Sequence, residues 1–215
     1  MRNITWATST ITVKVLRKTT KKQCIGIADA QNYLGVMYNN GDGVSENNVE
    51  AAKWYRKAAE QSNAWGEFNL GWMYDNGSGV PKDKLEAIRW YRKAAEQGNA
   101  FAQNNLGDAY YFGEGIAKDW LEAVRWYRKA AEQGNPDGQY NLGYMFYNGE
   151  GIAKDQQDGV RWYSKASEQG QPNAQNALGV AYWEGEGIAK NASEAYIWWS
   201  IAKTNGNGRC CYEFA

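Results

Sequence analysis

Apolar and polar positions along this chain recur with a step of 36 residues. The pairs Trp54-Tyr55, Trp90-Tyr91, Trp126-Tyr127, Trp162-Tyr163 and Trp198-Trp199 mark the step. Leu34-Gly35, Leu70-Gly71, Leu106-Gly107, Leu142-Gly143 and Leu178-Gly179 keep it. A fixed period of this size is the mark of a repeat array whose units touch mainly their neighbours. Each unit reads as two helices. In the second copy Leu70, Met73 and Tyr74 lie at i, i+3 and i+4, which predicts helix A over 64–76. In the stretch Asp83 to Asn99, Ala87, Tyr91 and Ala94 follow at i, i+4 and i+7 with Trp90 beside them, which predicts helix B.

The punctuation fits that reading. Gly77 is a suitable left-handed end for helix A, and Gly98 and Gly134 end helix B. Gly71 costs a helix about 1 kcal/mol relative to Ala. Its return in every copy predicts a close approach of two helices. The Gly-x-Gly-Val/Ile runs at Gly41, Gly77, Gly113, Gly149 and Gly185 resemble a phosphate cradle only superficially. They lack the Lys-Ser/Thr of a P-loop and the strand-to-helix setting of a dinucleotide fold, so they are read as turns. Asn47/Glu50, Asp83/Glu86, Asp119/Glu122, Asp155/Asp158 and Asn191/Glu194 have capping-box spacing at the start of each helix B. These acids are therefore assigned to caps, not to catalysis. Pro136 after Asn135 suits a first helical turn.

Composition removes several functions. Lysine plus arginine equals aspartate plus glutamate, 24 each, so net charge gives no case for nucleic acid or an anionic membrane. Histidine is absent, which removes the commonest general base and metal ligand. No apolar run reaches membrane-span length. Cys24, Cys210 and Cys211 all lie outside the repeats. No Ser-x-x-Lys, Gly-x-Ser-x-Gly or Cys-His arrangement pairs a nucleophile with a base. The expectation is no enzyme and no cofactor. Arg89, Arg92 and Lys93, with their equivalents, form a basic stripe on helix B that is read as a solvated face.

The pattern A-x-x-x-L-G-x-x-Y-x-x-G-x-G-V/I-x-x-D-x-x-E-A-x-x-W-Y-x-K-A-A-E-Q-G resembles the Sel-1-like repeat, a relative of the tetratricopeptide repeat. The resemblance covers about Ala28 to Asn207. It implies an all-α fold, an α/α right-handed superhelix of about five 36-residue helix-turn-helix repeats, acting as an adaptor for protein complexes. Some bacterial relatives are secreted, cysteine-rich and linked to β-lactam binding or hydrolysis. That is the alternative reading, although the paired cysteines, one per helix, are absent here. The expected organisation is a leader over 1–27, repeats at 28–63, 64–99, 100–135, 136–171 and 172–207, and a tail over 208–215. In the leader, Thr10 to Leu16 alternates like a short strand and Arg17 to Lys22 is a basic run. A cytoplasmic location is expected, with periplasm or secretion as the alternatives.

Recognition has room where the repeats differ. In helix A, four columns vary at spacing i, i+3, i+7 and i+10, one helical face. The candidate groove residues on them are Trp65, Phe68, Trp72, Phe101, Asp108, Tyr111, Tyr140, Tyr144, Tyr147 and Trp183. Aromatics mixed with Asn and Asp suit a protein or peptide segment held by anchors and oriented by hydrogen bonds. The competing expectation is that several of these rings simply pack between units. At the other end, Tyr196, Ile197, Trp198, Trp199 and Ile201 leave the array uncapped, which predicts self-association through that end or a longer parent chain.

Overall fold

A computed structural model describes residues 26–206. The expectations for the leader strand, the basic run, the three cysteines and the tail over 208–215 lie outside the described residues. Ten α-helices follow in order: α1 (Ile27–Asn40), α2 (Asn48–Ala59), α3 (Ala64–Asn76), α4 (Lys84–Glu96), α5 (Ala100–Phe112), α6 (Trp120–Glu132), α7 (Pro136–Asn148), α8 (Gln156–Glu168), α9 (Pro172–Glu184) and α10 (Ala192–Thr204). No strand occurs among the described residues. The odd-numbered helices are the A helices and the even-numbered ones the B helices. The chain divides into two compact units, Met1–Ala102 and Gln103–Ala215, which are described separately.

In the first unit α1 packs on α2 and α3 on α4, and α2 also packs on α3. The reason lies in side-chain size. Tyr55 and Tyr91 are buried, and each lies against a glycine of its own A helix. A Cβ on Gly35 would sit 2.5 Å from the Tyr55 ring, and one on Gly71 would sit 2.8 Å from Tyr91. Real Cβ atoms are not found that close, so glycine is required there. Ala51, Ala58, Ala87 and Ala94 complete the B-helix stripe and are buried.

The second unit repeats the arrangement. A Cβ on Gly107 would sit 2.6 Å from Tyr127, and one on Gly143 would sit 2.9 Å from Tyr163. In the last hairpin Trp199 takes the place of tyrosine and lies against Gly179. Trp199 is buried, and Trp198 packs partly against the Val160–Tyr163–Leu178 cluster. This corrects the picture of a fully open end: only Tyr196 and Ile197 of that set are broadly exposed, because the indole fills the slot that tyrosine fills elsewhere.

Two polar clasps close each hairpin. At the turn, Gly41, Gly77, Gly149 and Gly185 are left-handed and the following residue donates back into its A helix, as Asp42 does to Met37 and Glu150 to Met145. The N-cap residue of each B helix then donates its backbone N–H to a carbonyl of its A helix. Asn47 donates to Tyr38, Asp83 to Tyr74, Asp119 to Tyr110, Asp155 to Phe146 and Asn191 to Tyr182, at 2.8 to 2.9 Å. Here the expected capping box is only half made. The N-cap oxygens accept from the N3 amides as predicted. The N3 acids do not reach back, because the N-cap amide is already engaged. They pair instead with the basic residue three positions on: Glu50 with Lys53, Glu86 with Arg89, Glu122 with Arg125 and Asp158 with Arg161.

At the other end, a glutamine after helix B donates to a side chain near the start of its own helix A. Gln61 bonds Gln31, Gln97 bonds Glu67, Gln133 bonds Gln103, Gln169 bonds Gln139, and Asn205 bonds Gln175. The A-helix partners Glu67, Gln103, Gln139 and Gln175 are buried, so their polar atoms need these bonds. Sequence reasoning missed this column, because a recurrent Gln after a helix reads as surface.

Two stability changes of opposite sign follow. Gly107→Ala should destabilise by about 1–3 kcal/mol through overpacking against Tyr127, despite the better helix propensity of Ala. Ser62 is the one described non-glycine residue with positive φ, 59°, where the other repeats carry Gly98, Gly134, Gly170 and Gly206. Ser62→Gly should stabilise by about 0.5–1 kcal/mol. Urea unfolding of each variant checks both signs.

Candidate functional site

In the first unit the varied face of helix A gathers an aromatic cluster. The Trp65 ring lies 5.6 Å from Phe101 and 6.0 Å from Phe68; Phe68 lies 5.9 Å from both Phe101 and Tyr91. Its outer members keep much of their surface in water, Trp65 at 50% and Phe101 at 45%. Trp72 stands apart from the cluster and is 41% exposed.

The second unit holds a solvent-open cavity of about 290 Å³ lined by Asp108, Tyr111, Phe112, Tyr127, Tyr140, Asn141, Tyr144 and Met145. Asp108 is the only charged residue in that lining. Helices α5 and α7 supply most of the wall, and the buried tyrosine of α6 supplies Tyr127. The Tyr127 hydroxyl donates to Asp108 Oδ1 at 2.7 Å. Asn141 Nδ2 reaches the same oxygen at 3.2 Å and Asn104 Oδ1 at 2.9 Å. Asp108 Oδ2 receives a 3.2 Å bond from Asn104 Nδ2. Every one of these partners is neutral. Burial, which penalises the charged form, pushes the Asp108 carboxyl up to about 6. The Tyr127 bond works against that rise, and Asp137 and Glu114 add to it. Tyr127 is itself pushed well above the usual tyrosine range, by burial first and then by the Asp108 charge.

Of the ten groove candidates, Asp108, Tyr111, Tyr140 and Tyr144 are thus brought together at one cavity. Tyr140 also stacks on Tyr163 at 5.8 Å, and Tyr111 meets Tyr144 edge-on at 6.3 Å. Tyr147 packs on Tyr163 and donates to Glu186 Oε2 at 3.0 Å, which makes it a structural clasp as much as a surface residue. Trp183, 39% exposed, lies 5.9 Å from both Trp199 and Tyr196, away from the cavity lining. Phe112, Tyr127, Asn141 and Met145 were not among the candidates. Tyr127 was assigned to the packing stripe, and Asn141 lies off the four varied columns. The basic stripe is largely engaged: Lys57, Lys93, Lys129 and Lys165 each lie 4.0 to 4.2 Å from the tryptophan three residues before them.

The Sel1 repeat family model matches residues 28–63, 66–99, 100–135, 136–171 and 172–207. The chain belongs to the Sel1 repeat family. Its all-α helix-turn-helix architecture is of the solenoid class that the repeat implies. A Sel1 repeat protein from Oxalobacter formigenes is 36% identical with a TM-score of 0.82, over 95% of this chain and 81% of that one. The c5321 protein, described as a protective antigen of uropathogenic Escherichia coli with an SLR fold, is 38% identical with a TM-score of 0.76. That similarity covers 84% of this chain but only 38% of the antigen, so the chain spans well under half of that relative. Helicobacter pylori cysteine-rich protein B is 29% identical with a TM-score of 0.50, over 65% of this chain and 100% of that one. No curated protein matches. Proteins built from Sel1 repeats are in general interaction scaffolds, and the fold is typically non-enzymatic. No described helix is long and apolar enough to cross a membrane.

The Asp108 geometry of this Sel1 array has a measurable cost. A carboxyl whose folded pKa lies above its unfolded value favours folding while protonated. Its folded state binds more protons between about pH 4 and 6, so stability falls as pH rises through that window. Asp108→Asn keeps an acceptor for Tyr127 and removes the buried charge. It should stabilise the chain at pH 7 by on the order of 2 kcal/mol and flatten this part of the pH profile. Thermal unfolding from pH 4 to 7.5 reads it directly.

Proposed function

We propose that the chain is a non-catalytic scaffold that holds a segment of a partner protein on the varied side chains of its A helices. The observation that carries this is the cavity around Asp108, where four of the sequence candidates converge. Asp108 is the one charged residue in its column of the repeat. The equivalent positions are Val36, Trp72, Tyr144 and Val180. The half-exposed cluster of Trp65, Phe68 and Phe101 supports the same reading, since exposed aromatics are the usual anchors of protein interfaces. A protein partner fits better than nucleic acid, because the helix-B cations are largely paired with acids or seated on tryptophan. The repeats contain no cysteine, which suits a reducing, cytoplasmic setting.

The alternative, β-lactam binding or hydrolysis, lacks a nucleophile with a base in the cavity. Self-association through α10 is a further proposal, supported by the exposed Tyr196 and Ile197.

Capture of partner protein from the native cell by the intact chain should be lost on Trp72→Ala and on Tyr144→Ala, with the helical circular-dichroism signal retained. Retained capture in both would refute the groove. A nitrocefin assay should show no turnover above buffer, and turnover abolished by one point change would favour the alternative. Sedimentation should show a dimer that Tyr196→Lys with Ile197→Lys converts to monomer; a wild-type monomer refutes self-association.

A further inference from the structure

Three features of the Asp108 cavity point to one kind of occupant. The carboxylate has no ion-pair partner among the described residues; its hydrogen-bond donors are a phenol and two amides. Five of the eight lining residues are aromatic: Tyr111, Phe112, Tyr127, Tyr140 and Tyr144. Two further acids, Asp137 and Glu114, both act on Asp108. Aromatic faces attract cations through their quadrupole, and a carboxylate among such faces attracts a cation more strongly than either does alone. We infer that this cavity takes a single cationic side chain, lysine or arginine, presented by an extended segment of the partner protein.

The size of the cavity accommodates one long side chain. At about 290 Å³ the space lies at the bottom of the usual range for small-molecule sites, roughly 300–1,000 Å³. The chain's own chemistry already illustrates the attraction at the rim. Lys118 lies 4.6 Å from the Trp120 ring and 5.8 Å from Tyr111, yet makes no ion pair with Asp108. The carboxylate oxygen that faces fewest donors, Oδ2, has only the Asn104 amide, which leaves it capacity for a charged donor. Occupation would also offset the burial cost of the Asp108 charge, since an opposite charge at contact distance favours the ionised form. Binding should therefore strengthen from pH 5 to pH 7.5. The groups facing Asp108 in that window are Asn104, Tyr111 and Glu114 from α5 and the turn after it, Tyr127 from α6, and Asp137, Tyr140, Asn141 and Tyr144 from α7.

This inference rests on the scaffold reading above but fails separately from it. The probes are acetyl-Gly-Ser-Lys-Ser-Gly-amide, the same peptide with arginine, and the same peptide with norleucine, titrated into the full chain and followed by tyrosine ring signals in NMR. The lysine or arginine peptide should shift the rings of Tyr111, Tyr140 and Tyr144 and bind at least tenfold more tightly than norleucine. Affinity should fall at least tenfold in Asp108→Asn and several-fold in Tyr144→Leu, and it should weaken with added salt. The ring spectrum of each unliganded variant shows whether it is folded. Equal binding of norleucine and lysine would overturn the cation assignment and leave a plain apolar groove. Absence of ring shifts with every peptide at millimolar concentration would also overturn it, while partner capture, lost or retained on Trp72→Ala, judges the scaffold independently. Choice between lysine and arginine is read from the two cationic peptides.

Discussion

The structure depends on one contact repeated five times, a glycine of helix A against an aromatic ring of helix B. Gly35 meets Tyr55, Gly71 meets Tyr91, Gly107 meets Tyr127, Gly143 meets Tyr163 and Gly179 meets Trp199. The ring needs a flat bed of backbone, and only a residue without Cβ provides it. The alanine columns on helix B then let the next A helix approach on the opposite side, as Ala58 does for Gly66 and Ala130 for Gly138. Dense packing of this kind leaves few alternatives in register, because a shift by one residue would drive a Cβ into a ring.

Polar chemistry gathers at the ends of the hairpins and around one cavity, with a few links along the helices such as Asn69 to Asn32 and Arg56 to Tyr74. The helix termini are satisfied by caps and cross-helix amide bonds, and the glutamine pairs answer the buried groups at the opposite end. Asp108 is different. It occupies a position where other copies carry valine, tyrosine or tryptophan, and it raises its own pKa by being there. In the proposed reading, a charge held at this position exchanges stability for recognition.

The helices were legible in the sequence because the period carries them. Leu70, Met73 and Gly71 announced the inner face of helix A, and Gly77 its end. The cavity was legible only in part. Asp108 stood out as a carboxylate in an otherwise mixed apolar column, whereas Tyr127 did not, because a residue that recurs in nearly every copy looks purely structural. Its hydroxyl has a second use: the ring packs as in the other repeats while the oxygen donates to Asp108, as the Tyr91 hydroxyl does to Asp75. The acids at the N3 positions were misjudged in their pairing for a comparable reason. Spacing shows that a cap exists but not that its backbone amide is already taken by Tyr74 or Phe146. Trp199 was read as an exposed end, yet indole substitutes for phenol over Gly179 and is buried there.

The paired clasps on every hairpin have an evolutionary consequence. Because the turn bond and the glutamine bond both close within one copy, a stretch of 36 residues is a self-contained cassette. Unequal crossing-over between such cassettes removes or inserts a whole hairpin and leaves each survivor with both fastenings. Arrays of this design are therefore free to lengthen or shorten by genetic accident, and a singular residue such as Asp108 is what that process erases most easily.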